Sequence, residues 1–304
     1  MKYFIKRLIQ AVPVLFIISF IIFSLVYMAG DPVLLMLPED APQEDKQALR
    51  EALNLDEPFH VQYMTFVGNL MQGQFGKSFT YGQEALPIVL ERLPATIELA
   101  FAAIFVATII SIPFGIWSAT KKDSLGDVFI SGGAVLGKAM PNFWLGIMLI
   151  LLFSVYLGAL PVSGRGTIFH LILPAITLGT GIAAQITRLI RSNMLDILHQ
   201  EYIRTARSKG LKEFLVIYKH ALRNSLIPVV TIMALQTSSL IGGAIITETV
   251  FSWPGLGQLL IQAINTRDMA IVQASVFVVA LLVIMMNLLA DVMYRFLDPR
   301  INLK

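Results

Sequence analysis

The chain has 304 residues, of which 56% are hydrophobic and only 14% are charged, and its mean hydropathy is +0.72. Soluble domains carry about 25% charged residues, so this chain lacks the polar surface that a soluble protein of its length needs. The absence of cysteine excludes disulfides, thiolate metal sites and cysteine nucleophiles from it. The composition is that of an all-α, polytopic integral membrane protein.

Six stretches are apolar over about 20 residues, the length that a helix needs to cross the hydrocarbon core. They cover residues 9–29, 96–119, 138–158, 170–190, 226–247 and 270–291. The first follows the basic residues Lys2, Lys6 and Arg7 but lacks a signal-peptide cleavage site, so we interpret it as an uncleaved span. The third is interrupted by Lys138 and Pro141, which indicates either a bent helix or a short surface helix that leads into a span.

The distribution of lysine and arginine predicts the orientation of these spans. With the N-terminus in the cytoplasm, sixteen of the 23 basic residues fall in inner segments and six in outer segments. Lys138, which we assign to the inner end of the third span, completes the total. The opposite orientation would place residues 188–223, with eight basic residues, outside. We therefore predict that both termini are cytoplasmic, that residues 30–95 are extracytoplasmic and that residues 191–225 form a cytoplasmic loop.

The long outer segment carries two helical patterns. Residues 41–53 show the periodicity of a short amphipathic helix. Residues 59–70 place aromatic and aliphatic side chains at helical spacing, which is typical of an interfacial helix. We interpret the segment as a packed cap on the outer side of the bundle, with a docking surface for an external partner as the alternative.

Residues 132–139, Gly-Gly-Ala-Val-Leu-Gly-Lys-Ala, differ from a P-loop at the last position, where the motif requires Ser or Thr. We expect no nucleotide binding there and interpret Gly133 and Gly137 as small-xxx-small packing positions. The four histidines lack the spacing of a zinc site, and Ser163 lies in an outer loop. An intramembrane hydrolase is therefore a remote alternative. A proton-coupled secondary transporter is also a remote alternative, because the spans lack the chain of carboxylates that proton transfer across the membrane would need.

Polar residues also occur near the ends of the spans. Asn287, Asp291 and Arg295 are spaced by four residues and share one helix face. This spacing predicts an interhelical polar clasp in which Arg295 neutralises Asp291, with substrate contact as the alternative. Glu98 and Glu248 lie at outer helix ends, where we expect them to be near water and to have no special role.

Residues 201–213 lie in the basic inner loop and form the most informative stretch. A short helix with small residues at its centre, Thr205, Ala206 and Ser208, would let another surface approach closely. Gly210 would then allow the chain to turn without a side-chain penalty. This pattern favours contact with a soluble partner, although an ordinary solvated loop is the alternative. Basic residues beside a span indicate lipid contact and inner topology, so they do not predict a nucleic-acid partner.

This stretch resembles the permease subunits of binding-protein-dependent ABC importers, in particular the dipeptide/oligopeptide/nickel family. The coupling segment of that family runs acidic-Tyr-x-Arg-Thr-Ala-Arg-x-Lys-Gly, and residues 201–210 read Glu-Tyr-Ile-Arg-Thr-Ala-Arg-Ser-Lys-Gly. Residues 220–228 match its continuation, His-Ala-Leu-Arg-Asn-x-x-x-Pro. The broader importer motif, Glu-Ala-Ala-xxx-Gly, is kept only at Ala206 and Gly210. Further similar stretches are residues 30–32, 55–58, 73–78, 248–257 and 298–301.

The resemblance implies a type I ABC importer-like fold with six transmembrane helices and import of di- or oligopeptides by alternating access. Two cytoplasmic ABC ATPase subunits would bind ATP and Mg²⁺, so this chain would carry no catalytic residue, cofactor or metal of its own. The residues expected to couple to the ATPase are Glu201, Tyr202, Arg204, Thr205, Ala206, Arg207, Lys209 and Gly210.

The remaining partners implied by the resemblance are a second homologous permease or a second copy of this chain, an extracytoplasmic binding protein and the cytoplasmic membrane of a bacterium or archaeon. Nickel chelates, glutathione and oligosaccharides remain alternative substrates. The sequence alone does not identify the substrate-binding residues, because the pore-facing and lipid-facing sides of these spans are both apolar.

Overall fold

The computed structural model describes residues 2–28, 33, 41–52 and 55–297, and its regular elements are helices. The chain divides into two compact units. Unit 1 contains residues 1–94 and 255–284, and unit 2 contains residues 95–254 and 285–304. The stretches 30–32 and 298–301, which resemble family features, lie outside the described residues.

The helices follow the chain in a simple order. They are α1 (Lys2–Met28), α2 (Gln43–Ala52), α3 (Phe59–Met71), α4 (Ala85–Thr120), α5 (Leu125–Ala139), α6 (Asn142–Leu149), α7 (Ile168–Leu198), α8 (Glu201–Ser208), α9 (Arg223–Gly243), α10 (Ile245–Val250), α11 (Leu256–Asn265) and α12 (Met269–Leu297). A π-helical stretch, Ile150–Tyr156, continues α6. A helical turn, Glu213–Leu215, and a second π-helical stretch, Val216–Leu222, lead into α9.

Four of these helices are long and apolar enough to cross a membrane, namely α1, α4, α7 and α12. They contain residues 9–28 of the first predicted span and all of the second, fourth and sixth. The fifth predicted span, 226–247, is covered by α9 as far as Gly243 and by the start of α10 from Ile245.

The third predicted span, 138–158, is broken near its start. Helices α5 and α6 meet at an angle of 108° around Met140 and Pro141, so the pair is either one broken span or a re-entrant segment. Pro141 lacks an N–H donor and, in a continued helix, its ring would clash with the Gly137 carbonyl, so α5 ends before it. A bend was one of the two predicted arrangements. The structure places Lys138 in the last turn of α5, at this break, where it lines a pocket together with Gly181 from the middle of α7.

The outer segment of unit 1 contains both predicted helices, as α2 and α3. The aromatic face of α3, predicted to lie at the membrane interface, packs against α1. Tyr63 is buried, contacts the rings of Phe16 and Phe20, and its hydroxyl lies 3.0 Å from that of Ser19. Edge-to-face ring contacts of this kind add to the apolar area that the pair buries.

A second core of unit 1 joins the start of α4 to α11 and α12. Its buried residues are Phe75, Ala85, Ile88, Val89, Leu256, Leu259, Ala263, Ile271, Ala274 and Val278. Asp268 is fully buried beside this core and accepts hydrogen bonds from the Ser78 hydroxyl at 2.5 Å and the Thr80 amide at 3.2 Å. The buried carboxylate therefore ties the loop before α4 to the start of α12.

Unit 2 is built around α7, and glycines on both α7 and α4 allow these two helices to pack closely. Cβ atoms added at Gly179 and Gly115 would lie 2.7 Å from the Ala103 carbonyl oxygen and the Ile190 side chain, respectively. The predicted packing role is confirmed for Gly137, whose Cβ position lies 3.2 Å from Thr180. A Cβ atom added at Gly133 would meet no atom of the described chain within 4 Å, so a packing role for that residue stays a prediction.

The predicted clasp of Asn287, Asp291 and Arg295 lies on the C-terminal part of α12. Asn287 is exposed and Asp291 is half-buried. The side chain of Arg295 lies outside the described residues, so the clasp stays a prediction.

Candidate functional site

Helix α8 is short and is held to unit 2 by one apolar stripe. Ile203 and Ala206 are three residues apart and therefore share a face. Both are buried, at 0% and 7% exposure, in the core that also contains Met194 and Val216. Burial of this stripe fixes which side of α8 faces away from the protein.

The outward side of α8 carries nearly all of the predicted coupling residues. The exposed residues are Glu201, Tyr202, Arg204, Thr205, Arg207, Ser208, Lys209 and Gly210. Ala206 was predicted to belong to the contact patch, but the structure places it on the inward face because it completes the stripe begun by Ile203. The small residues that remain accessible are Thr205 and Ser208, separated by one helical turn.

Gly210 ends α8 in the way that the sequence predicted. Its φ of +73° lies in the left-handed region. The Gly210 amide donates to the Arg207 carbonyl at 2.9 Å and the Leu211 amide to the Ala206 carbonyl at 3.4 Å. These two bonds form a Schellman motif, which satisfies the last carbonyls of the helix and favours glycine.

An ion pair closes the turn after α8. The Arg207 guanidinium donates to both carboxylate oxygens of Glu213, at 2.7 and 3.2 Å. These hydrogen bonds lower the pKa of Glu213 and raise that of Arg207, so both groups are charged at neutral pH. The two side chains are 42% and 55% exposed, so the pair serves more to position the turn than to stabilise the fold.

Two polar contacts tie α8 and α7 to the start of α9. The Asn224 amide donates to the Tyr202 hydroxyl at 2.9 Å. The Asn193 amide of α7 donates to the Ser225 carbonyl at 3.4 Å. The segment 220–228, whose sequence resembled the family pattern, therefore lies directly behind α8. The pair between Arg204 and Glu201, 70% and 83% exposed, runs along the helix and contributes little.

A buried ion pair near the same end of α7 was missed by the sequence analysis. Arg191 donates through Nε and Nη2 to both carboxylate oxygens of Asp127, each at 2.7 Å. Asp127 also accepts hydrogen bonds from the Ser118 hydroxyl and from the Asp123 amide at 3.0 Å. We call these four residues the Asp127 cluster. It joins the end of α4 and the start of α5 to α7. Its residue on α7, Arg191, lies ten residues before the first residue of α8.

Glu248 was expected to lie near water at a helix end, and the structure corrects this expectation. Glu248 is fully buried and accepts a hydrogen bond from the Thr96 hydroxyl at 2.6 Å, so it is not near water. Beside it, the Trp253 indole donates to the Ala95 carbonyl at 2.8 Å. Helix α10 turns Glu248 toward α4, which gives this carboxyl a structural role. Glu98 is partly exposed, as expected, and forms an ion pair with Arg165.

Two models of known protein families match the chain. The family model described as "Binding-prot-dependent transport system membrane comp, N-term" matches residues 1–100. The model described as "Binding-protein-dependent transport system inner membrane component" matches residues 111–303.

Three relatives are similar over nearly their whole lengths. The oligopeptide transport system permease protein AppB of Bacillus subtilis is 42% identical, over 99% of this chain and 99% of the relative. The di/tripeptide transport system permease protein DppB of Pseudomonas aeruginosa is 41% identical, over 98% and 97%. The glutathione transport system permease protein GsiC of Escherichia coli is 39% identical over the full length of both.

Solved structures share the fold. A structure of the MetNI methionine ABC transporter in an inward-facing conformation superposes with a TM-score of 0.56 and 17% identity, over 69% of this chain and 96% of that one. An amino acid ABC transporter solved with histidines gives a TM-score of 0.53 and 13% identity, over 69% and 94%. At such identities the likeness concerns the fold alone. The two family models and the full-length relatives show that the chain belongs to the family of binding-protein-dependent transport system inner membrane components.

Proposed function

We propose that this chain is the transmembrane permease subunit of an ATP-driven importer that carries di- or oligopeptides across the cytoplasmic membrane. The observation that carries the proposal is the 42% identity, over 99% of both chains, to an oligopeptide permease. Glutathione, which is itself a tripeptide, is the second candidate, because the glutathione permease is 39% identical.

The partners in this proposal are two ABC ATPase subunits, a second permease subunit and an extracytoplasmic binding protein. ATP and Mg²⁺ bind to the ATPases, and hydrolysis takes place there. Residues 132–139, which approach a P-loop in sequence, are part of helix α5 and Gly137 packs against Thr180. The second permease is a homologous chain or another copy of this one.

The proposed topology has six spans with both termini in the cytoplasm. Helices α1, α4, α7 and α12 supply four spans, the bent pair α5 and α6 supplies the third, and α9 with α10 supplies the fifth. Residues 30–95 are then extracytoplasmic, and residues 191–225 form the coupling loop. The concentration of basic residues in that loop supports this orientation.

Coupling in this proposal is movement of α8 by the ATPases. Tyr202, Arg204, Thr205, Arg207 and Lys209 face outward and contact the ATPase, whereas Ile203 and Ala206 transmit the movement to the core. Because α8 is joined to α9 through Asn224 and shares its core with α7, displacement of α8 repositions the ends of two spans. Such coupling needs two states that differ in ATPase contact.

Single cysteines test the docking side and the orientation together, since the chain has none of its own. We expect a photoreactive maleimide on cysteine at position 205 to capture the ATPase in the assembled complex, whereas the same probe at exposed position 60 does not. In intact cells, a membrane-impermeant maleimide should label position 60 and leave position 205 unlabelled. Two results would refute the proposed arrangement. One is capture of the ATPase from position 60 but not from position 205, and the other is labelling of position 205 but not of position 60 in intact cells.

A further inference from the structure

A polar pocket of about 170 Å³ lies in unit 2 where α5 breaks, against α7 and α9. Its polar side chains are those of Lys138, Asn142, Gln236 and Ser239. They come from three different helices and line one open pocket, an arrangement typical of a ligand site. Leu178 and Ile182 of α7 form part of its apolar wall.

The pocket lies at the mid-height of a spanning helix. Gly181 of α7 lines it, and at 1.5 Å per residue this glycine stands about 20 Å from the start of α7 and about 25 Å from its end. An ammonium group at the middle of a span is costly and usually marks a transport pathway. Lys138 therefore requires an explanation beyond topology.

The charge of Lys138 is not neutralised within the described part of the chain. Among the described residues, no carboxylate oxygen lies within 4.0 Å of the Lys138 ammonium nitrogen. Gln236 is held at the wall of the pocket, because its amide donates to Gln185 of α7 at 3.2 Å. The site thus combines one unpaired cation with amide and hydroxyl groups that bind a planar polar group.

We propose that this pocket binds a carboxylate of the transported substrate. The Lys138 ammonium supplies the opposite charge, and Asn142, Gln236 and Ser239 supply hydrogen bonds to the carboxylate and to adjoining peptide groups. The inference rests on the proposed function, because a peptide carries a carboxylate at its C-terminus and, where acidic, on a side chain. A charge-assisted hydrogen bond is about twice as strong as a neutral one, so Lys138 is expected to dominate binding.

Zero-length cross-linking tests the contact directly. A carbodiimide activates a carboxyl group, and the Lys138 amine then displaces the activating group to form an amide. We expect the complete transporter, incubated with trialanine and carbodiimide, to yield a trialanine adduct on Lys138 in peptide mapping. Trialanine amide should give none. Ala-Asp-Ala amide, whose carboxyl is on a side chain, distinguishes the two carboxylate sources. Absence of the Lys138 adduct with both carboxylate peptides, while exposed Lys122 reacts, would overturn the proposal.

Uptake into proteoliposomes by the complete transporter is the second measurement. We expect Lys138→Gln to lower trialanine uptake by about 10-fold or more, because an ionic hydrogen bond is lost. Lys138→Arg should keep most of the uptake, and Lys122→Gln, which removes an exposed charge outside the pocket, should match the wild type.

Unchanged uptake in Lys138→Gln, or equal loss in the Gln and Arg variants, would refute a charge-specific role. A wild-type transporter that assembles and hydrolyses ATP but takes up none of these peptides would instead contradict the proposed function.

Discussion

Replacing Asp127 with alanine is expected to destabilise the protein by about 3 kcal/mol. The change leaves Arg191, whose side chain is 27% exposed, without its carboxylate, and loss of one partner of a buried pair costs about 3–5 kcal/mol. It also removes the acceptor of the Ser118 hydroxyl and the Asp123 amide. Thermal unfolding of the purified complex in detergent measures the effect.

Asp123→Asn is the matched control, because the Asp127 cluster uses only the backbone amide of Asp123, which the substitution keeps, and the side chain is 80% exposed. We expect this variant to unfold within about 0.5 kcal/mol of the wild type. Combining Asp127→Asn with Arg191→Gln should cost less than the sum of the single changes, since the double variant leaves no unpaired charge. An Asp127→Ala protein as stable as the control would contradict the role assigned to the Asp127 cluster.

Substituting Gly210 by valine is expected to reduce import by more than 10-fold while the protein still inserts and assembles. A β-branched residue at a φ of +73° costs about 1–2 kcal/mol of backbone strain, which the chain relieves by rebuilding the end of α8. No atom outside the adjacent residues lies within 4 Å of the added Cβ, so strain and not collision is the cause. Uptake in proteoliposomes, compared with the amount of assembled complex, reports the loss.

Gly82 offers a close control for this experiment. Its φ is +66°, its added Cβ also meets nothing within 4 Å, and it lies in the segment proposed to be extracytoplasmic. Gly82→Val therefore introduces similar strain away from the coupling loop, and we expect its uptake to stay within about twofold of the wild type. Equal loss in both variants would mean that backbone strain alone, and not the coupling position, explains the Gly210 result.

The long apolar helices were predictable because hydropathy and length suffice to identify them. Helices α1, α4, α7 and α12 lie where the windows predicted, and Pro141 indicated the bend. The sequence window did not reveal that the fifth predicted span is divided between α9, which ends at Gly243, and α10, which begins at Ile245.

The coupling loop was predictable in conformation but not in full detail. Gly210 signalled a helix end, which the structure confirms. Ala206 looked like part of an exposed patch because its burial depends on Ile203 and on the core beneath it. The side on which a short helix is buried follows from tertiary packing, and eight residues carry too little periodicity to fix it.

The buried polar contacts were not predictable from one sequence. Asp127 and Arg191 are 64 residues apart, and local spacing cannot pair them. Glu248 appeared to be at a helix end, yet the turn at α10 directs it toward Thr96. Lys138 looked like a boundary residue until the bend placed it beside the middle of α7. In each case the contact depends on which helices pack together, and local sequence patterns do not reveal that packing.

Import by this permease should stop when ATP hydrolysis stops. In proteoliposomes that contain the complete transporter and ATP, replacing the P-loop lysine of both ATPase subunits should reduce peptide uptake to background, while the complex still assembles around α8. Uptake that persists in this variant would contradict an ATP-driven importer and would favour a secondary transporter.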